Sequence, residues 1–241
     1  MPINVLPISA LSDNYVWMLT DEETSCVAVV DPGECAPVRA AIEAQGGRLD
    51  LILLTHHHAD HIGAAETLRE RYGAKMVGAA ADAKRLPPLD RAVRAGDEVM
   101  LGSSKALVLE TPGHTIGHIA YYFNEPPSLF CGDTMFSLGC GRLFEGTPEQ
   151  MFKSLHAFDA LPGETRVYCG HEYTTSNARF ALAVDPDNTA LKDRAEEVSN
   201  LRARGLPSLP STLASERACN PFVRADTAEE LGKLRREKDL A

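Results

Sequence analysis

The sequence lacks paired cysteines. Its six cysteines are scattered along 241 residues, and no two of them stand in a CxxC spacing. This pattern disfavours a zinc ribbon, a thioredoxin-like redox site and a secreted disulfide framework. We therefore expect the cysteines to be reduced thiols that serve as small core residues.

Basic residues and long apolar runs are also scarce. The chain has 24 Lys and Arg against 34 Asp and Glu, a formal net charge of −10, which opposes binding to nucleic-acid phosphates. No apolar run approaches the roughly 20 residues that span a bilayer, and the N-terminus has no basic residue ahead of an apolar segment. We expect a soluble, cytoplasmic monomer that binds neither nucleic acid nor membranes.

The patterns that are present indicate sheets covered by helices. Short apolar runs such as "CVAVVD", "DLILLT", "KALVLE" and "RVYCG" predict strands, and they alternate with segments of helical periodicity such as "APVRAAIEAQGG". This mixture fits an α/β or α+β arrangement. Strand signals stop near residue 173, which predicts one domain over residues 1–173 and a small helical domain over 174–241, with "GLPSLPSTLA" as a connector inside the latter.

A cluster of metal-ligand side chains follows one predicted strand, in "LDLILLTHHHADH". The HxHxDH pattern consists of His56, His58, Asp60 and His61. In an extended segment, residues two apart point to the same side, so His56 and His58 can converge while the chain turns through the other two. Imidazole and carboxylate ligands suit zinc, iron or manganese.

Three more strand ends carry a ligand-type side chain after a glycine. "LVLETPGH" ends at His114, "SLFCGD" at Asp133 and "RVYCGH" at His171. Seven ligands are too many for one metal and suit two, about 3.5–4 Å apart, with Asp133 as the bridge. We expect one metal to be held by His56, His58 and His114, and the other by Asp60, His61 and His171.

Other candidate residues have simpler interpretations. His57 points away from its neighbours on an extended segment and is predicted to pack or to support a ligand. His118 follows His114 by four residues and is predicted to orient a ligand through a ring hydrogen bond. His156 is predicted to be structural, and Asp31 in "VVDPG" to form a turn.

The motifs "THHHADH", "TPGHTIGH", "CGDTMF" and "GHEYT", in this order, resemble the metallo-β-lactamase superfamily. That resemblance implies a four-layer αββα sandwich, and hence an α+β fold class, with a dinuclear metal site on the same seven ligands. "VYCGHEYT", "STLASERACNPFVR" and the ending "LRREKDL" further resemble the glyoxalase II (hydroxyacylglutathione hydrolase) family. This resemblance implies hydrolysis of S-D-lactoylglutathione to D-lactate and glutathione, which completes methylglyoxal detoxification.

The same resemblance implies contacts with glutathione. Tyr173 matches the family, and Arg235 and Lys238 stand where the family places cations that hold the glycine carboxylate of glutathione. Arg142 keeps the charge of a family lysine, whereas Phe144 replaces an aromatic hydroxyl and loses its hydrogen bond. A glycine-asparagine pair that often follows HxHxDH is replaced by residues 64–65, both alanine.

The expected mechanism uses two divalent metals, with zinc as the first choice and iron or manganese as alternatives. Asp60 and Asp133 are the expected catalytic residues, because they would hold a metal-bridging hydroxide that attacks the thioester. Two other functions stay open. One is a mononuclear iron glutathione persulfide dioxygenase on the same fold, and the other is a non-catalytic metal-binding module.

Overall fold

The computed structural model describes residues 3–241. Contacts between Cα atoms divide the chain into two compact units. Unit 1 comprises the described residues up to Glu110 together with Gly117–Gly132, and unit 2 comprises Thr111–Ile116 together with Asp133–Ala241. Within the described part of the chain, no helix is long and apolar enough to cross a membrane. The predicted domain boundary at residues 173–174 stays a prediction.

The first sheet of unit 1 has six strands in sequence order. They are β1 (Ile3–Ala10), β2 (Asn14–Asp21), β3 (Val27–Val30), β4 (Leu51–Leu53), β5 (Lys75–Ala79) and β6 (Arg91–Val93). β1, β2 and β3 pair antiparallel, and β3 to β6 pair parallel. β3 and β4 are buried along their whole length, as their continuous apolar runs require in a parallel arrangement.

Three helices belong to unit 1, namely α1 (Cys35–Ala44), α2 (Ala59–Ile62) and α3 (Ala65–Tyr72). Val38 and Ile42 of α1 and Leu68 of α3 join one core cluster with side chains of the first sheet. The apolar stripe of each helix therefore covers that sheet. α3 ends at Gly73, which adopts the left-handed conformation expected of a helix C-cap.

The second group of strands in unit 1 is antiparallel. It contains β7 (Glu98–Leu101), β8 (Ser104–Glu110), β9 (Ile119–Asn124) and β10 (Pro127–Gly132), in the order β10-β9-β8-β7. The buried hydroxyl of Tyr121 on β9 donates to the backbone oxygen of Leu54, just beyond β4 of the first sheet, at 3.0 Å. The two sheets of unit 1 thus share an interior.

Unit 2 is mainly helical. Its strands are β11 (Met135–Phe136), β12 (Gly139–Cys140), β13 (Arg166–Cys169) and β14 (Ser211–Thr212). Its helices are α4 (Pro148–His156), α5 (Thr174–Val184), α6 (Thr189–Ala203), α7 (Leu213–Cys219) and α8 (Ala228–Leu240). α4 begins with proline in its first turn and a capping box between Thr147 and Gln150.

All six cysteines are free thiols, as predicted. Cys131, Cys140, Cys169 and Cys219 are buried, and the other two are half-buried. Burial raises the pKa of the Cys140 thiol to about 12.

These elements confirm the predicted α+β class and correct two details. The expectation that strands end near residue 173 is wrong, because β14 pairs antiparallel with β13. The predicted connector "GLPSLPSTLA" contains β14 and runs into α7, whose N-cap Thr212 accepts a hydrogen bond from the Ser215 backbone. The two-residue strand is too short to show a period, and the prolines before it indicated a loop.

Candidate metal and substrate site

The HxHxDH segment of unit 1 begins just after β4 and turns into α2. His56 and His61 are buried, and the His56 Nε2 atom lies 3.1 Å from His58 Nδ1. The ring centroids of His56 and His61 are 4.2 Å apart. An Asp60 oxygen is 3.4 Å from His61 Nε2, so the four predicted ligands of unit 1 converge.

Asp31 supports this ligand group more directly than a turn residue would. Its carboxylate accepts hydrogen bonds from the backbone N–H and the hydroxyl of Thr55, at 2.8 and 2.6 Å. The same carboxylate lies 3.1 Å from His61 Nδ1, which donates to it and thereby leaves Nε2 with a lone pair for a metal. Asp31 also has φ of 53°, which aspartate tolerates better than most residues. Its position at a strand end was the sequence signal for this role.

Two further contacts fix the segment. Asn14 Nδ2 donates to Asp60 Oδ2 at 2.9 Å and holds that carboxylate in place. A Cβ atom on Gly33 would lie 1.8 Å from the Asp60 backbone oxygen, so only glycine allows this close approach.

His57 and His118 support the segment in different ways. His57 Nδ1 donates at 3.0 Å to the buried Asp82, which is also paired with Arg85. The buried ring of His118 stacks on that of His56, with centroids 4.8 Å apart and planes at 24°. His156 lies in unit 2, where it bonds Asp159 at 2.7 Å and packs on Phe152.

The three predicted ligands of unit 2 also lie together. Asp133 Oδ2 is 3.4 Å from His114 Nε2 and 3.3 Å from His171 Nε2, and all three side chains are buried. His114 Nδ1 donates to the Arg142 backbone oxygen at 2.9 Å, so its Nε2 carries the lone pair. One carboxylate between two imidazoles is an arrangement that a ligand shared by two metals can adopt.

The donors in each unit fit a divalent metal. They are imidazole nitrogens and carboxylate oxygens, a set that suits zinc, iron or manganese. In unit 1, one ligand atom each of Asp31, His56 and His61 lies within 4.8 Å of the others. The hydrogen bonds of His61 and His114 already select the tautomer that a metal needs.

Two of the three cations predicted to bind substrate pair with one carboxylate in unit 2, that of Asp239. Arg142 Nε and Arg235 Nη2 lie 3.5 and 3.0 Å from Asp239. Burial, together with the positive charges of Arg235, Arg142 and Arg179, lowers the pKa of Lys238. Asp239, which stands one helical turn after Arg235, and Arg179 were not among the residues predicted from the sequence.

The residues predicted to bind the substrate differ in their contacts and exposure. Arg235 is buried, donates to the Cys140 backbone oxygen at 2.8 Å and lies over the Phe222 ring. Lys238 Nζ donates to the backbone oxygen and the hydroxyl of Ser176. Tyr173 is 37% exposed and stacks on the His171 ring, with centroids 4.6 Å apart and planes at 4°. Phe144 is 63% exposed, with its ring centroid 5.3 Å from that of His114.

Comparison with known proteins identifies two family matches that together span almost the whole chain. The model of the metallo-β-lactamase superfamily matches residues 12–171, and that of the hydroxyacylglutathione hydrolase C-terminus matches residues 172–241. A hydroxyacylglutathione hydrolase from Acidiphilium cryptum is 54% identical over 232 residues, covering 96% of this chain and 94% of that protein.

Solved structures agree on the fold. ETHE1 from Myxococcus xanthus superposes with a TM-score of 0.73 at 28% identity, covering 100% of this chain and 92% of that one. TTHA1623, solved in a di-iron-bound form, superposes with a TM-score of 0.61 at 28% identity, covering 69% of this chain and 91% of that one.

Proposed function

Because the chain belongs to the metallo-β-lactamase superfamily and, within it, to the hydroxyacylglutathione hydrolases, we propose that it hydrolyses S-D-lactoylglutathione to D-lactate and glutathione. The observation in the structure that carries this function is the buried Asp133 carboxylate between His114 and His171. A carboxylate placed in this way suits a centre of two metals, which hydrolysis of a thioester can use.

Two divalent metals, with zinc as the first choice and iron or manganese as alternatives, are the proposed cofactors. The seven predicted ligands would hold them, namely His56, His58, Asp60, His61, His114, Asp133 and His171. Support comes from the donor set in each unit and from the di-iron form of TTHA1623. When bound, the metals would supply a nucleophilic hydroxide near neutral pH and polarise the thioester carbonyl.

The protein's own residues prepare this chemistry. Asp60 and Asp133 are the proposed catalytic residues, and Asn14 holds the carboxylate of Asp60 at a fixed angle. Asp31 and the Arg142 carbonyl keep His61 and His114 in the tautomer that leaves Nε2 with a lone pair. Glutathione leaves as a thiolate with a pKa near the ordinary thiol value of about 8.5, so no strong general acid is needed.

Substrate binding is proposed for Arg142, Tyr173, Arg235 and Lys238. The three cations lie in one unit and carry the charge that an anionic glutathione thioester requires. We assign catalysis, together with the substrate contacts of Arg142 and Tyr173, to residues 1–173, and the remaining substrate binding to residues 174–241. We propose that the protein works as a cytoplasmic monomer and binds no nucleic acid, in keeping with its net charge of −10.

The test is hydrolysis of S-D-lactoylglutathione by the purified protein, followed as loss of the thioester, with metal content measured on the same sample. We expect turnover with about two metals per chain, abolished by a chelator and restored by added metal. The absence of turnover, together with one iron per chain and oxygen uptake on glutathione persulfide, would replace the hydrolase with the dioxygenase. A metal-loaded protein inert toward both substrates would indicate a binding module.

A further inference from the structure

A short hairpin in unit 2 follows the predicted bridging ligand directly. β11 and β12 pair antiparallel, with Met135 opposite Cys140, and the hairpin begins two residues after Asp133. Its other end leads through Gly141 into Arg142, whose carbonyl oxygen accepts the hydrogen bond from His114. The position of this hairpin therefore sets the backbone on both sides of the Asp133 carboxylate.

The hairpin carries backbone strain at its tip. Leu138 is fully buried and has φ of 60°, in the left-handed region that leucine avoids. Such a conformation costs on the order of 1–3 kcal/mol and persists only where the surroundings impose it.

Side chains from the helical part of unit 2 supply that constraint. Five successive residues of the hairpin each have one backbone atom bonded by a distant side chain. The pairs are Phe136 O with Asn220 at 3.1 Å, Ser137 O with Asn177 at 3.1 Å, Leu138 N with Glu216 at 2.8 Å, Gly139 O with Asn220 at 3.0 Å, and Cys140 O with Arg235 at 2.8 Å. The hairpin is thus held by tertiary contacts along its length.

Asn220 is the centre of this set, and its amide has one possible orientation. Its Oδ1 accepts from the Phe222 backbone N–H at 3.0 Å, so its Nδ2 must face the hairpin carbonyls. The same Nδ2 lies 3.0 Å from Glu216 Oε2, and both side chains are fully buried. Glu216 in turn accepts from Leu138 N, the amide of the strained residue.

We propose that Asn220 and Glu216 are positioning residues for the metal centre. They hold the hairpin so that Asp133 and the Arg142 carbonyl stand where the metal ligands of unit 2 need them. This inference rests on the proposed metal-dependent hydrolase function and extends it to the "SERACN" segment, residues 215–220. The two side chains act through the hairpin backbone, without touching a metal or the substrate.

Asn220→Asp is the sharpest test, since it keeps the shape of the side chain. It replaces an N–H donor by a carboxylate oxygen that faces two carbonyl oxygens and the Glu216 carboxylate, which repels the hairpin. The matched control is Asn200→Asp, the same charge change at an exposed position of α6 in the same unit. Both variants are measured as metal-loaded full-length protein.

The primary measurement is the chelator concentration that removes half of the bound metal, taken well below the unfolding temperature. We expect Asn220→Asp to lower it at least tenfold, in the range typical of residues that support metal ligands, and Asn200→Asp to leave it unchanged. The kcat for S-D-lactoylglutathione should fall with it while KM changes little. An unchanged chelator midpoint in a folded Asn220→Asp protein, whatever its unfolding temperature, would overturn the proposal.

A second pair of variants covers the case in which Asn220→Asp does not fold. Glu216→Gln keeps an oxygen that accepts from Leu138 N, whereas Glu216→Leu has a similar size and no acceptor. We expect the glutamine variant to keep a chelator midpoint within about threefold of the wild type and the leucine variant to lose tenfold or more. Equal midpoints in the two variants would refute the positioning role.

Failure of this inference is separable from failure of the proposed function. Wild-type turnover and about two metals per chain establish the function before any variant is compared. A wild type without turnover would reject the function itself, whereas an active wild type with indifferent Asn220 and Glu216 variants would reject only the inference.

Discussion

The two regions that contain the predicted metal ligands are built in opposite ways. In unit 1, four predicted ligands lie within residues 56–61, in the segment that follows β4 and enters the short helix α2. In unit 2, His114, Asp133 and His171 come from three separate segments, brought together by a strained hairpin and distant side chains. The first region forms at one strand end, where side chains such as Asp31 and Asn14 support it. The second needs much of the fold of unit 2.

The largest expected effect is that of Asp133→Ala, which removes the centre of the unit 2 group. We expect kcat/KM to fall at least ~1,000-fold, about 4 kcal/mol of transition-state stabilisation, with loss of both metals. Elemental analysis measures the bound metal, and thioester kinetics measure kcat/KM. Asp133→Asn, which keeps the shape of the side chain, is the comparison variant. A variant that retains one tightly bound metal would show that Asp133 is no bridge.

Asp31→Ala tests the carboxylate that supports His61 and Thr55 in unit 1. It leaves the Thr55 amide, the Thr55 hydroxyl and His61 Nδ1 without their buried acceptor. We expect a loss of about 3 kcal/mol in the free energy of unfolding, measured by urea denaturation, together with weaker metal binding. Asp31→Asn keeps one acceptor oxygen, and asparagine also tolerates a positive φ. We expect this variant to lose less free energy of unfolding than the alanine variant. A cost below about 1 kcal/mol for the alanine variant would contradict this role.

Asp21 separates stability from metal binding, since it is a buried aspartate of unit 1 outside the ligand segment. Burial raises its pKa, but hydrogen bonds from Ser104, Thr24 and Ser103 outweigh that effect and hold the pKa well below the usual range of an aspartate. Because the folded pKa is depressed, its stabilisation is present above pH ~4 and is lost as the pH falls through the folded pKa.

Asp21→Asn should therefore cost about 2 kcal/mol of stability at pH 7, and the difference from the wild type should narrow below pH ~4. Urea denaturation across pH measures this, and metal content at pH 7 should not change. A cost that is constant from pH 7 to 2 would rule out the carboxylate as its source.

Phe144→Tyr should have the smallest effect. It adds a hydroxyl to an exposed ring beside His114. We expect KM for S-D-lactoylglutathione to fall about threefold at constant kcat, because one added hydrogen bond would contribute about 0.6 kcal/mol to substrate binding. The matched control is Phe152→Tyr on α4, which packs on His156 and should leave KM unchanged. An unchanged KM for Phe144→Tyr would show that the hydroxyl contributes nothing to substrate binding in this protein.

The contrast between the local ligand segment of unit 1 and the dispersed ligands of unit 2 explains what could be predicted from the sequence. The HxHxDH segment is local, and its ligands follow from strand periodicity, so the convergence of His56 and His58 could be predicted and is confirmed. The apolar runs likewise predicted β3, β4 and β13. Asn220 and Glu216 could not be predicted, because their partners in the hairpin lie 78 to 84 residues away in sequence. β6 and β14 are too short to show a period.

The buried cysteines bear on how the protein withstands oxidised thiols in its surroundings. Four thiols, those of Cys131, Cys140, Cys169 and Cys219, are enclosed, and the Cys140 thiol has a pKa of about 12. Disulfide exchange requires a thiolate that a partner can reach. The proposed reaction releases glutathione beside the protein, so burial keeps these four sulfurs from forming mixed disulfides with the product once that product is oxidised.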